Sequence, residues 1–228
     1  MNRDDLSGLY VITDTTRFER EALVEAVSEA IRGGARIVQY RDKSDDTERR
    51  RSEAAALAEL CRHHGRVFIV NDDVALAIEV GADGVHLGRE DASLTETRER
   101  FEAVGLDAII GVSCYAERPR AEAAAAAGAD YLAFGAMFPS PTKPHAPAAP
   151  AEVLGWSRER LGLPVCAIGG ITSANLADLT PYRPDMVAVV SEVFAAADIR
   201  AAAATMAQAI AGGPLESHSS ANHDPETP

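Results

Sequence analysis

Eight times along this chain a short run rich in β-branched and aromatic residues is followed by a longer amphipathic stretch, and that repeat leaves few folds open. The runs are Leu9–Thr13, Arg36–Arg41, Val67–Asn71, Asp83–Leu87, Ala108–Ser113, Tyr131–Gly135, Val165–Gly169 and Met186–Ser191. Runs that alternate with helical stretches in this way are βα units, whose strands lie parallel because each connection crosses over through a helix. Segments such as IVQY, VFIV and VAVV are apolar at nearly every position, as parallel strands covered on both faces require. Between the runs, Glu19–Arg32 places Leu23, Val27, Ala30 and Ile31 on one helical face, and Asp46–His64 does the same with Ala54, Leu57, Ala58 and Cys61. Gly33-Gly34, Gly65, Gly81, Gly128 and Gly162 fall just past helical stretches, where a left-handed cap favours a residue without Cβ. The Ala-rich run Ala121–Ala127 is a strong helix former. Eight such units predict an α/β fold, a single (β/α)8 TIM barrel rather than an open doubly wound sheet, and 228 residues suit one such domain. The catalytic domain is expected over 1–211. From Gly212 onward the chain loses periodicity and gains Gly, Pro, Ser and acidic residues, so 212–228 is expected to be a disordered tail.

Charge removes several classes of function. With 22 Lys and Arg against 35 Asp and Glu the net charge is −13, which opposes binding to nucleic acid or to anionic membrane surfaces. A phosphorylated small molecule would then have to be held by a local cluster of cations, or a metal, acting against the overall field. No apolar run approaches the ~18 residues of a membrane span, and the opening MNRDDLSGLYVITD lacks the layout of a signal peptide, so a cytoplasmic protein is expected. Cys61, Cys114 and Cys166 are odd in number and widely spaced; they suggest neither a disulfide nor a zinc site, but small buried residues in a reducing compartment. The sequence leaves homo-oligomerisation open.

In a (β/α)8 barrel the reactive groups gather at the C-terminal ends of the strands, and polar residues of many types collect there in this chain. In VQYRDK, Gln39, Arg41 and Lys43 are spaced by two, so all three share a face if the strand runs that far. Two cations and an amide facing a barrel mouth need an anion, and a diphosphate suits them. The alternative is that Arg41 and Lys43 open an exposed loop and pair with Asp42, Asp45 or Asp46. Asp72 and Asp91, 19 residues apart at the ends of successive strands, can converge on a hard cation such as Mg2+, which takes few carboxylates and keeps water and phosphate oxygens. Otherwise Asp72 is a helix N-cap and Asp91 a loop carboxylate; Asp73, one residue on, is expected to cap the next helix. In CAIGGIT, Gly169 and Gly170 followed by a helix can offer N–H groups to a phosphate, with Ser191 after the last strand as a second arm, or else they form a tight turn. His86 is read as a hydrogen-bonded barrel residue, with general base as the alternative. Asn71, Ser113, and Ser140, Thr142 and Lys143 of FPSPTKP complete the set, and no nucleophile–base pair stands out.

Taken in order, the stretches LYVITD, VQYRDK, FIVNDDVALAIEVGADGVHLGREDA, IIGVSC, YLAFGAMFPSPTKP, AIGGIT and VAVVSEVF resemble the thiamine-phosphate synthase family from Gly8 to about Ala197, the block from Asn71 to Asp91 being the most specific. The resemblance implies a barrel transferase that joins 4-amino-5-hydroxymethyl-2-methylpyrimidine diphosphate to 4-methyl-5-hydroxyethylthiazole phosphate and releases diphosphate. It implies that Gln39, Arg41 and Lys43 hold the pyrimidine diphosphate with help from Asn71, Ser113 and Lys143. Of these, Lys43, Ser113 and Lys143 act on the leaving group, while Asp72 and Asp91 bind Mg2+. It further implies that Ser140, Thr142, Gly170, Val190 and Ser191 hold the thiazole phosphate. The chemistry implied is dissociative: the aminopyrimidine stabilises a methylene cation once diphosphate leaves, and the thiazole nitrogen captures it. Such a reaction needs charge stabilisation and exclusion of water more than a nucleophile.

Three positions depart from the family pattern. Tyr115 stands where the family usually has His, Ser140 where Thr is common, and Ala136 where Pro is frequent. A related thiazole tautomerase shares the barrel but uses a His at the position of Tyr115 and tends to lose the cationic and Mg2+-binding residues. A silent barrel that only binds thiazole phosphate or thiamine phosphate is the rival of another class. Retention of Arg41, Lys43, Asp72 and Asp91 disfavours both, because a monophosphate binder needs no diphosphate or metal site.

Overall fold

Side chains alternate in direction along a strand, and in this protein the two directions fill two separate cores. The computed structural model describes residues 6–139 and 147–212. Its strands are β1 (Gly8–Ile12), β2 (Ile37–Tyr40), β3 (Val67–Asn71), β4 (Gly84–Leu87), β5 (Ile109–Tyr115), β6 (Tyr131–Phe134), β7 (Val165–Ile168) and β8 (Met186–Val189). They pair in parallel in chain order, and β8 closes onto β1 to make a barrel. Tyr10, Ile37, Ile69, Ile109, Tyr131, Cys166 and Met186 are among the residues that pack inside it. Their strand neighbours, such as Leu9, Val38, Phe68, Val85, Leu132 and Val187, face outward into the larger core beneath the helices.

The helices are α1 (Arg20–Arg32), α2 (Thr47–His64), α3 (Val74–Val80), α4 (Leu94–Glu102), α5 (Arg118–Ala126), α6 (Glu152–Leu161), α7 (Ser191–Phe194) and α8 (Ile199–Ile210). The faces expected to be buried on α1 and α2 are buried. Asp73 caps α3, its side chain accepting from the Leu76 amide at 2.9 Å. Cys61, Cys114 and Cys166 are buried and unpaired.

Three expectations need correction. The second strand stops at Tyr40, short of Arg41, and the last stops at Val189, short of Ser191. Where α1 ends, Gly34 takes the positive φ while Gly33 stays right-handed. No α-helix follows Gly169-Gly170; two short 3-10 turns, Leu176–Asp178 and Thr180–Tyr182, occupy that place. The cause is local: the Asn175 side chain bonds the Thr172 amide at 2.8 Å and the Gly170 carbonyl at 2.9 Å, folding the segment back, and Pro181 has no N–H with which to extend a helix. Apart from Gly212 itself, the expected tail lies outside the described residues, as do Ser140, Thr142 and Lys143.

At the opposite, N-terminal end of the barrel one device recurs. An aspartate just before an even-numbered strand accepts from an amide near the start of the odd-numbered strand before it. Asp83 takes Phe68 N at 2.8 Å, Asp130 takes Ile110 N at 2.7 Å, and Asp185 takes Val165 N at 2.9 Å. Each pins two adjacent strands in register. Arg98 and Arg158 complete the charge pairing of Asp130 and Asp185.

Candidate active site

The inward positions nearest the C-terminal ends of β2 to β5 are Gln39, Asn71, His86 and Ser113, so strand parity alone delivers four polar groups to one end of the barrel. Gln39 and His86 are buried, while Asn71 and Ser113 are partly open. Gln39 does not share its role with Arg41 and Lys43 through a common strand face. Its amide nitrogen turns into the barrel and donates to Tyr10 Oη at 2.6 Å.

Beyond Tyr40 the chain leaves the ladder because two neighbours capture it. Thr13, at the end of β1, accepts from the Arg41 amide at 2.9 Å. Asp42 then turns inward, accepting from the Ser44 amide at 2.8 Å and from Arg49 at 2.8 Å. Burial alone would raise the Asp42 carboxyl, but these donors win and hold it below the usual carboxylate range. Of the pairings considered for this loop, Arg49 therefore takes Asp42. Arg41 has no carboxylate partner among the described residues, and the Lys43 ammonium pairs across the mouth with Asp72.

Asp72 occupies a left-handed backbone position, φ 55°, which is uncommon for a residue with a Cβ. Its amide bonds the His86 carbonyl at 2.9 Å, and its carboxylate accepts from Asn71 Nδ2 at 2.6 Å as well as from Lys43. Since Asp73 caps α3, the N-cap alternative for Asp72 is set aside. Asp91 lies in the turn after β4 and takes the Gly88 amide at 2.5 Å. The two carboxylates thus stand after adjacent strands. Among the described residues there is no group of three or more metal-ligating side chains. Two hard oxygen donors beside open solvent suit a cation that keeps water and phosphate in its shell, as Mg2+ does, and do not suit a closed structural site.

The β5 strand carries an irregularity between Ser113 and Tyr115, where Tyr115 takes φ 57°. The bulge turns the Tyr115 ring toward the turn after β4: a Cβ on Gly88 would lie 3.0 Å from Asp91 Oδ2 and 3.7 Å from Tyr115 Oη. The Arg89 guanidinium lies over the ring at 4.9 Å. Arg120 fixes the same corner, donating to the Ser113 carbonyl at 2.7 Å and the Gly88 carbonyl at 2.8 Å. Sequence reasoning missed Arg120. A signal was present, because an arginine in the first turn of α5 runs against the helix dipole and so has another use.

After β7, Gly170 sits at φ 64°, and a Cβ there would come within 2.5 Å of the Phe138 and Pro139 carbonyls, so only glycine lets the two loops touch. Val190 is the N-cap and Ser191 the first residue of the four-residue α7 beside it. Glu192 of that turn accepts from Ser173 N at 2.9 Å and ties the two loops together. Glu192 and Asn175 were likewise not foreseen; their types gave no sign of it.

A (β/α)8 barrel whose C-terminal rim gathers lysine, arginine, two carboxylates and amide and hydroxyl donors defines a class of enzymes that act on phosphorylated small molecules. The thiamine monophosphate synthase family model matches residues 9–193. The thiamine-phosphate synthase of Thioalkalivibrio sulfidiphilus is 52% identical over 202 residues, 89% of this chain and 94% of that one. That of Halorhodospira halophila is 50% identical over 198 residues, 87% and 91% of the two chains. A solved thiamine phosphate pyrophosphorylase from Pyrococcus furiosus superposes with a TM-score of 0.82 at 36% identity, covering 92% of this chain and 98% of its own. The chain belongs to the thiamine monophosphate synthase family, and it is an enzyme of the transferase class.

Proposed function

We propose that the barrel mouth joins 4-amino-5-hydroxymethyl-2-methylpyrimidine diphosphate to 4-methyl-5-hydroxyethylthiazole phosphate, giving thiamine phosphate and diphosphate. The observation that carries this reading is the meeting of Lys43, Asn71 and Asp72 across the ends of β2 and β3, with Asp91 and Ser113 following β4 and on β5. The Lys43–Asp72 pair is solvent-facing and so worth no more than about 1 kcal/mol, which makes it an easy contact to exchange for a substrate. Without an anion the lysine rests on the carboxylate. With the diphosphate bound, Lys43, Arg41, Asn71 and Ser113 supply donors to the group that gains charge as the C–O bond breaks. Lys143 is proposed to join them.

Asp72 and Asp91 are proposed to hold Mg2+, which when bound would offset charge on the departing diphosphate. The thiazole phosphate is assigned to Gly170, Val190 and Ser191 with Ser140 and Thr142. A cytoplasmic enzyme fits these substrates, and residues 1–211 are proposed as the catalytic unit with 212–228 as a dispensable tail. Among the described residues no helix is long and apolar enough to cross a membrane. The test is to incubate the protein with both substrates and Mg2+ and follow the products by mass. Thiamine phosphate and diphosphate should form together. Unchanged substrates, or isomerised thiazole alone, would overturn the reading.

A further inference from the structure

Inside the barrel, below the mouth, a file of polar side chains crosses the apolar core. Gln39 Nε2 donates to Tyr10 Oη at 2.6 Å, and Tyr10 Oη meets Tyr131 Oη at 3.0 Å. Tyr131 Oη meets His86 Nδ1 at 2.8 Å, and His86 Nε2 meets Ser113 Oγ at 2.8 Å. Five residues on β2, β1, β6, β4 and β5 are thereby linked. Tyr10 and Tyr131 are 1% and 0% exposed, so neither phenol has water as a substitute partner. Space for the file is built in at Gly111, where a Cβ would fall 2.0 Å from the Tyr131 ring.

Counting protons gives the file a direction. An amide nitrogen can only donate, so Tyr10 Oη accepts from Gln39 and keeps one proton to give. Burial pushes both phenols well above their ordinary range, so each retains that one proton. If Tyr10 gives its proton to Tyr131, then Tyr131 gives its own to His86 Nδ1, and the imidazole carries its hydrogen on Nε2, directed at Ser113 Oγ. Ser113 then receives one hydrogen bond from below, and its own O–H is left to point into the mouth.

We propose that Tyr10, Tyr131 and His86 are positioning residues whose one-way file commits the Ser113 hydroxyl as a donor to the anionic leaving group. The idea rests on the assignment of Ser113 to the pyrimidine diphosphate, but the direction of the file can be measured without substrate. Reversal of the file would place the imidazole hydrogen on Nδ1 and turn the Ser113 hydroxyl down toward His86, leaving only its lone pairs for the mouth, where they would repel a phosphate oxygen.

The first measurement is nitrogen NMR of histidine-labelled wild-type protein, with the His86 signals assigned by comparison with His86→Gln. A hydrogen on Nε2 and a bare Nδ1 are expected; a hydrogen on Nδ1 overturns the proposal. The second uses Tyr131→Phe, which should release the tautomer and lower kcat/KM for the pyrimidine diphosphate roughly tenfold, about one hydrogen bond, with KM for thiazole phosphate unchanged. In a Ser113→Ala background the same change should have almost no further effect, because the residue through which it acts is gone. An equal further loss in that background would make Tyr131 merely structural and overturn the proposal. If Tyr131→Phe does not fold, the wild-type tautomer still decides. Absence of thiamine phosphate from the wild type would count against the proposed reaction, whereas an active wild type with the wrong tautomer would count against the file alone.

Discussion

Lys43 illustrates what single residues disclose and what they withhold. Its type and place beyond a strand end marked it as an anion ligand, yet its resting partner, Asp72, belongs to the next unit and no spacing rule connects them. Because that pair is exposed, Lys43→Ala should leave the melting temperature almost unchanged while lowering turnover on the order of 10²-fold, the usual loss when a donor to a developing anion is removed. Steady-state kinetics beside a thermal melt checks both halves. Tyr115 is the departure from the family that most invites another reading. Its ring packs under Arg89 and beside the Asp91 turn, which describes a wall of the site. Tyr115→Phe keeps the ring, so synthase activity should stay within about tenfold, the worth of one hydrogen bond; complete loss on assay would show that the hydroxyl takes part in the chemistry.

At the scale of elements the sequence was most informative where one physical rule governed. The period of the βα units, the buried helix faces and the Asp73 cap follow from burial and capping, and all were readable. The segment after β7 was not, because Asn175 reaches back to Thr172 and Gly170 and Pro181 blocks extension, so side-chain bonding outweighs helix propensity. The aspartates below the barrel also went unread, although Gly-Ala-Asp occurs twice, at 81–83 and 128–130, each time before a strand. Asp130 is almost fully buried against Arg98 and the Ile110 amide. Asp130→Ala should therefore destabilise the fold by roughly 3 kcal/mol, since it leaves the Ile110 amide without its acceptor and takes the carboxylate from Arg98, which keeps only the Ala108 and Gly128 carbonyls, and should leave KM for both substrates near wild type. Denaturant melts with matched kinetics would show it, and an unchanged midpoint would mean that these strands are held in register by other contacts.

For the molecule as a whole, closure of eight strands was legible from the count of units, whereas convergence of Gln39, Asn71, His86 and Ser113 needed the register that only the closed barrel supplies. The buried groups set the response to alkali. Burial pushes the Cys61 and Cys114 thiols up to about 12 and raises Cys166, Tyr10, Tyr40 and Tyr131 as well. These pKa values are raised on folding, so the contribution of these groups is constant below the unfolded thiol value of about 8.5 and falls as pH climbs from there toward about 12, where the unfolded chain has lost protons that the folded one keeps. Urea midpoints should decline over that range, and a rise would contradict the assignment. We propose that this protein of net charge −13 holds a diphosphate through cations on its rim and a metal shared by Asp72 and Asp91. Two carboxylates facing that anion would repel it unless a divalent cation lies between them. The most direct test is Mg2+-dependent turnover, with calorimetric binding of each substrate, in Asp72→Ala, Asp91→Ala and the double variant. Either single change should abolish condensation, the double should cost no more than one, and thiazole phosphate should still bind. Near-normal Mg2+-dependent turnover in either single variant would contradict the shared site.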